Sequence, residues 1–377
     1  MSQCNETFDR IAGELGGFTC HDAPSVIHLR NPLALTNWTL PVLEAMMVFG
    51  AVLALWWAIR RLRREGDPTN LVLWVGSIVY LLVTEIPLYF PDVFGIQDQI
   101  GVVFDHNVFT VQFLYERLPL YIVALYPAVT TLAFEIVRSL GTFRRHGIVV
   151  GAVCVGFVHH CFYEVFDQLG PQLRWWQWNT DNPLNHPFFS SVPMTSVVIF
   201  ATLGPAVLTF LTMLLVGRHV EAGRRFTGVS LTWRTLVAGA LVVVGVGILS
   251  VPSSVFGGDE PNTTAQAVVF AGYLALFAIV AVPVLVRRRL DERPVAANPF
   301  VQLFGPLYLG VLALLWLSAL PAYFGAVDGV TGDGTPTGTL SYAVACFVIA
   351  GLAVAAAWPS RIGGATLQNS EEMSRSL

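Results

Sequence analysis

Four ionisable residues crowd into one apolar run, where hydrocarbon would reject them. His159, His160, Glu164 and Asp167 all lie within Gly147–Leu169. An ionisable side chain at the centre of a bilayer costs at least about 2–3 kcal/mol, so such residues face a bundle interior and commonly mark function. His160, Glu164 and Asp167 stand at relative positions 0, 4 and 7, which is one face of an α-helix. Glu85, followed by Ile86-Pro87, is a deep carboxyl in another apolar run. A carboxyl in an apolar pocket resists ionisation and can stay protonated near neutral pH. It is then a general acid, able to donate to an alkene or an epoxide. An ionised neighbour can steady a developing carbocation or activate water. Glu85 and Asp167 are the smallest set for that work, and Glu164 with His160 one turn away extend it.

Other polar groups have plainer explanations. Glu135 has Arg138 three residues on, the spacing of a structural pair at a helix end. His159 points off the acidic face and can bond a neighbouring helix. Glu44, near the start of its span, can snorkel to water or join the site, and Asp167 itself can be read as interfacial. A metal set would use His160 and Glu164 at i, i+4 with His106 or His186, but the chain lacks the many clustered histidines of membrane di-iron enzymes. No metal and no cofactor is expected. There is no Gly-rich phosphate loop, no CxxC, no HExxH and no lipidation box.

These groups must be positioned by membrane helices. Of 377 residues, 54% are hydrophobic and 12% charged, with a mean hydropathy of +0.63; soluble domains carry about 25% charge. All 21 basic residues are arginine. Nine spans are predicted: Trp38–Ile59, Asn70–Phe90, Leu118–Leu140, Gly147–Leu169, Val192–Val216, Thr235–Phe256, Ala265–Val286, Phe300–Phe324 and Thr339–Trp358. Arginine-rich connections follow spans one, three, five and seven: Arg60 to Arg64, Arg138 to Arg145, Arg218 to Arg234 and Arg287 to Arg293. The opposite loops hold only Arg117 and Arg174. The positive-inside rule then puts the N-terminus outside and the C-terminus inside. The expected fold is an all-α polytopic membrane protein. Residues 1–36 form an extracytoplasmic tail, 37–216 hold helices one to five with the polar site, 217–360 form an apolar scaffold of helices six to nine, and 361–377 are a disordered cytoplasmic tail.

Two outer loops have character. Pro91–Arg117 is half apolar and suits a short interfacial helix. Arg174-Trp175-Trp176-Gln177-Trp178 places three indoles together, as in a headgroup layer. Residues 1–35 do not read as a signal peptide. Cys4 and Cys20 are either a disulfide, if that tail is outside the cell, or two free thiols.

Two blocks of this chain are similar to the integral-membrane carotenoid hydratase and related carotenoid-biosynthesis proteins. The first is Thr84-Glu85-Ile86-Pro87 followed by Arg117-Leu118-Pro119-Leu120. The second is Glu164-Val165-Phe166-Asp167, then Trp176-Gln177-Trp178, then Val192-Pro193. The likeness covers roughly Glu85–Phe200. It implies acid-initiated hydration or cyclisation of a long isoprenoid lying in the bilayer, with no nucleotide or redox cofactor and with Glu85 and Asp167 as the acids. Trp176, Trp178, Arg117, His106 and Tyr163 are the expected substrate-binding residues. The expected partners are a membrane lipid or isoprenoid, another copy or another membrane subunit, and no nucleic acid; the expected location is a bacterial plasma membrane. Two further readings stand beside this one. A proton-coupled transporter would also bury ionisable groups, and Gly204-Pro205 and Gly305-Pro306 could break helices as transporters need. A non-catalytic subunit of a membrane complex would need only the scaffold.

Overall fold

A computed structural model describes residues 5–359 apart from 17, 20, 22, 259 and 291–294. The Cys4–Cys20 pair and the tail 361–377 lie outside the described residues. Among the described residues, after a short α1 (Glu6–Gly16), eight helices are long and apolar enough to cross a membrane. They are α2 (Thr39–Glu65), α3 (Thr69–Tyr89), α4 (Leu120–Ser139), α5 (Thr142–Asp167), α6 (Ser196–Glu221), α7 (Gly228–Ser254), α8 (Thr263–Leu290) and α9 (Pro299–Phe324). The ninth predicted span is also helical, as α10 (Leu340–Ala356), but has 17 residues. That is about 26 Å at 1.5 Å per residue, just short of a hydrocarbon core of about 30 Å.

Local chemistry explains the boundaries. Helix α2 stops at Gly66, whose φ of 69° lets its N–H turn back to the Arg61 and Leu62 carbonyls, the glycine stop of a helix C-terminus. Asp67 then caps α3 by accepting from the Thr69 N–H at 2.9 Å. Gly147 breaks the helical path inside α5 (φ 80°, ψ 177°), so Thr142–His146 form a separate basic turn and the membrane stretch begins where the sequence placed it. Helix α4 lies at the centre, with 89% of its most apolar window buried; the same windows in α7 and α8 are 22% and 17% buried. Those two helices turn Val244, Ile248, Leu276 and Ile279 outward, as lipid-facing helices do.

The architecture is not purely helical. Among the described residues, short strands β1 (Ile27–Leu29), β2 (Phe104–His106), β3 (Val111–Phe113), β4 (Leu118–Pro119), β5 (Trp176–Trp178), β6 (Pro187–Phe189) and β7 (Val192–Pro193) make three small antiparallel sheets, ordered β1-β3-β4, β2-β5 and β6-β7. The interfacial helix expected in Pro91–Arg117 is replaced by turns and by β2 and β3. The segment expected as an extracytoplasmic tail carries α1, which buries Phe8, Ile11 and Ala12 against Val102.

Glu44 in α2 fastens this cap to the bundle. Its carboxylate accepts from the backbone N–H groups of Thr110 (2.9 Å) and Val111 (3.1 Å), so it neither snorkels nor enters the acid site. At the opposite end Glu135 accepts from Trp57 (2.8 Å), Asn70 (3.0 Å) and Asn298 (2.6 Å), with Arg138 at 3.8 Å. That carboxylate ties four helices together and is the structural group its spacing suggested.

Candidate functional site: an aromatic chamber with two carboxyls

The chamber follows from strand register. Pairing of β2 with β5 sets Phe104 opposite Trp178 and His106 opposite Trp176. Side chains alternate along a strand, so these four share one face while Asp105 and Gln177 take the other. Under that face, α3 presents Glu85, α4 presents Tyr121, α5 presents Tyr163, Phe166 and Asp167, and α6 presents Phe200. Together they line a cavity of about 30 Å³. Glu85 and Asp167 thus line one space, as do His106, Tyr163, Trp176 and Trp178.

Each acid is half satisfied. Glu85 Oε1 accepts from the Tyr126 hydroxyl at 2.6 Å, and Asp167 Oδ2 accepts from Ser196 Oγ at 2.7 Å. Glu85 Oε2 and Asp167 Oδ1 are buried with no hydrogen-bond partner in the protein, and so are the indole N–H groups of Trp176 and Trp178. Buried polar atoms are ordinarily paired, so four unpaired ones around a single small space mark it as a place built to meet something polar.

His106 extends the polar line. Its Nδ1 lies 3.0 Å from the Tyr121 hydroxyl and its Nε2 lies 3.0 Å from the Tyr89 hydroxyl. Burial pushes this imidazole down to about 3, so it is neutral, with one nitrogen donating and the other accepting. Tyr89 in turn interacts with Glu85 one helical turn back. Two hydrogen-bonded runs, Tyr126–Glu85 and Tyr89–His106–Tyr121, thus meet where Tyr89 lies beside Glu85. Next to it, burial raises the Asp105 carboxyl well above the usual range, against the pull of the His106 N–H and Arg117.

Three predicted site residues are elsewhere. About 60° of helix rotation separates Glu164 from Asp167, enough to turn Glu164 away from the chamber and toward the Gln168 amide, which it accepts at 2.9 Å. His160 also faces away: Nε2 lies 2.6 Å from the Tyr342 hydroxyl of α10, and Nδ1 meets the Val197 carbonyl (3.1 Å) and Thr202 Oγ1 (2.9 Å). Arg117 is a clamp for the cap, not a chamber residue. Its guanidinium sits 4.1 Å from the Phe8 ring centroid and 4.5 Å from that of Phe90, and donates to the Tyr89 carbonyl.

His159 behaves as its position suggested, donating from Nδ1 to the Ala201 carbonyl in α6 at 2.7 Å. The reason lies in Pro205. Proline has no N–H to return to the carbonyl four residues earlier, and the histidine supplies the missing donor. Around this point Ser196–Leu203 is wound as a π-helix, a form often found at functional sites. Gly204-Pro205 therefore widens α6 without breaking it, and Gly305-Pro306 lies inside an unbroken α9. Among the described residues no group of three or more His, Cys, Asp or Glu is placed to hold a metal ion.

The indoles expected in a headgroup layer are turned inward. Trp175 is fully buried, stacks on Phe166 at 5.5 Å and donates to Thr39 Oγ1 at 2.9 Å. Trp176 lies over Gly170, where a Cβ would stand 1.9 Å from the ring. On its far side Trp176, with Trp178, also lines a larger cavity of about 530 Å³ that includes Glu14, Arg174 and Thr335. The sequence reading missed Tyr121, Tyr126, Phe104, Phe166, Ser196 and Phe200. The signal available for some of them was the hydroxyls of Tyr89, Tyr121 and Tyr126 in otherwise apolar helices.

No curated protein and no solved structure matches this chain. One family model does match, over residues 28–259, a range that contains every chamber residue and all of α2 to α7. The chain thus belongs to the family described as a domain of unknown function, DUF7802.

Proposed function

We propose that the protein is an intramembrane enzyme in which Glu85 and Asp167 perform acid-initiated hydration or cyclisation on an isoprenoid-like lipid. The observation that carries this reading is the meeting of both carboxyls in one aromatic chamber, each with an oxygen unpaired. One carboxylic acid donates its proton to an alkene carbon, leaving a carbocation. Rings of Phe104, Tyr121, Tyr163, Phe166, Trp176 and Trp178 line the space, and a ring face turned to such a cation stabilises it. The other carboxylate then takes a proton, either from water as it adds or from carbon as a ring or a new alkene forms. Electrons balance without a redox partner. This is the chemistry implied by the resemblance to the carotenoid hydratase group.

Size shapes the proposal. About 30 Å³ accommodates about one or two waters, far below the roughly 300 Å³ of small-molecule sites. The reacting end of a lipid enters only when rings part. A neighbouring void of about 10 Å³ shares Tyr163 and Phe200 and reaches His159 and Pro205; it marks the direction a chain takes between α3, α4, α5 and α6. The finer topology belongs to the same proposal, with α10 as a ninth span, N-terminus outside and a bacterial plasma membrane as the setting. The arginine distribution supports that orientation.

A second reading, proton-coupled transport, is favoured by the line Tyr126–Glu85–Tyr89–His106–Tyr121, which is shaped for moving a proton. Lipid extracts separate the two. Glu85→Gln and Asp167→Asn are each expected to abolish a lipid product while the protein stays folded and inserted. Identical extracts from wild-type, deletion and variant cells would overturn the enzyme. Proton flux in proteoliposomes that disappears in Glu85→Gln would install the transporter.

A further inference from the structure

At the arginine-rich end of the bundle, away from the carboxyl chamber, lies a cavity of about 540 Å³ where α2 and α4 finish and α9 begins. Four guanidinium groups line it: Arg60, Arg61, Arg138 and Arg144. Two are committed. Arg61 and Arg138 both pair with Asp67, Arg61 also reaches Glu65 at 2.8 Å, and Arg138 lies beside Glu135. The other two are not. Among the described residues neither Arg60 nor Arg144 has a carboxylate within ion-pair distance. Arg60 instead lies over the rings of Trp56 (5.7 Å) and Trp57 (5.5 Å). Arg61 keeps a buried Nε with no hydrogen-bond partner.

The acidic residues of the same lining do not fill the cavity. Glu135 is satisfied by three side-chain donors, Glu65 is held by Arg61, and Glu221 sits on the exposed rim. What remains is two uncommitted guanidinium groups and one free guanidine N–H around a space of ligand size. Planar, multiply donating guanidinium groups suit the oxygens of a phosphate.

We propose that this cavity binds the phosphate group of an anionic amphiphile. The location favours a lipid over a solute: Trp56 beneath Arg60 is 46% exposed on the apolar flank of α2, so a headgroup at the arginines leaves its acyl chains against that flank. Basic pockets between membrane helices take anionic headgroups in this way.

The test uses the full-length protein in phosphatidylcholine nanodiscs, with and without phosphatidylglycerol, and counts retained lipid by native mass spectrometry. Losing two charge-assisted phosphate contacts weakens retention of phosphatidylglycerol by about tenfold or more, and that is the expected result for Arg60→Gln/Arg144→Gln. Neither residue holds the fold together. Arg63→Gln/Arg64→Gln removes the same charge from the same end of the bundle but outside the cavity, and is expected to retain lipid as the wild type does. Equal retention by wild type and the first variant, or an equal loss in the second, overturns the proposal. Displacement of the lipid by millimolar inorganic phosphate would move the site to a soluble phosphate and overturn the amphiphile part.

Discussion

Glu85 and Asp167 are held by hydroxyl donors, Tyr126 and Ser196, and by no cation. Among the described residues every acid that meets an arginine, such as Asp67, Glu65 and Glu116, lies outside the chamber. The two chamber carboxyls are thus kept apart from cations in apolar surroundings. His106 gives the residue scale its pH test. Its folded-state value, lowered to about 3 by burial, lies below the ordinary 6.5. Its contribution is therefore fully present above about pH 6.5 and is lost as pH falls toward 3, by an amount on the order of a few kcal/mol. Asp105, shifted upward, acts in the other direction and penalises high pH. His106→Gln is expected to flatten the acid limb of a thermal-stability profile in detergent. An unchanged limb would mean that the Tyr121–His106–Tyr89 bridge does not exist. Of the nine predicted site residues, six line the chamber: Glu85, Asp167, His106, Tyr163, Trp176 and Trp178. Arg117, Glu164 and His160 do not, because helical periodicity assigns a face without saying which neighbour that face meets.

At the scale of elements, hydropathy located every long helix, since each span must satisfy its backbone internally. Strands of two or three residues left no such trace. They exist because β2 finds β5 and β3 finds β1 across long separations, and no local pattern encodes those partners. Helix α6 carries the sharpest element-level expectation. His159→Ala leaves the Ala201 carbonyl without its donor, at a cost of about 1–3 kcal/mol. Pro205→Ala supplies a backbone N–H to that same carbonyl, so the double variant is expected to recover part of the loss. Thermal unfolding of the four proteins forms the cycle. Strict additivity would show that the π-wound stretch owes nothing to this exchange.

For the molecule as a whole, the arginine-rich ends of α2, α4 and α5 lie opposite the capped end that holds β1 to β5. With native cysteines replaced, Asp181→Cys is expected to react with a membrane-impermeant maleimide added to intact cells, and Arg64→Cys only after lysis. The reverse pattern would invert the topology. Helices α8, α9 and α10 lie beyond the matched region 28–259, yet Tyr308 and Trp316 of α9 bond the α5 carbonyls of Phe162 and Val165 at 2.9 and 2.8 Å. The later helices thus brace the helix that carries Asp167.

Trp176 and Trp178 border both the 30 Å³ chamber and the 530 Å³ space beyond it. Two indole rings of an extramembrane two-stranded sheet, and not the bilayer, therefore stand between the acids and that larger space. Shaving either ring to a methyl would merge the compartments and flood the carboxyls, whatever lipid surrounds the protein. Dryness around the two carboxyls is a property the chain carries with it.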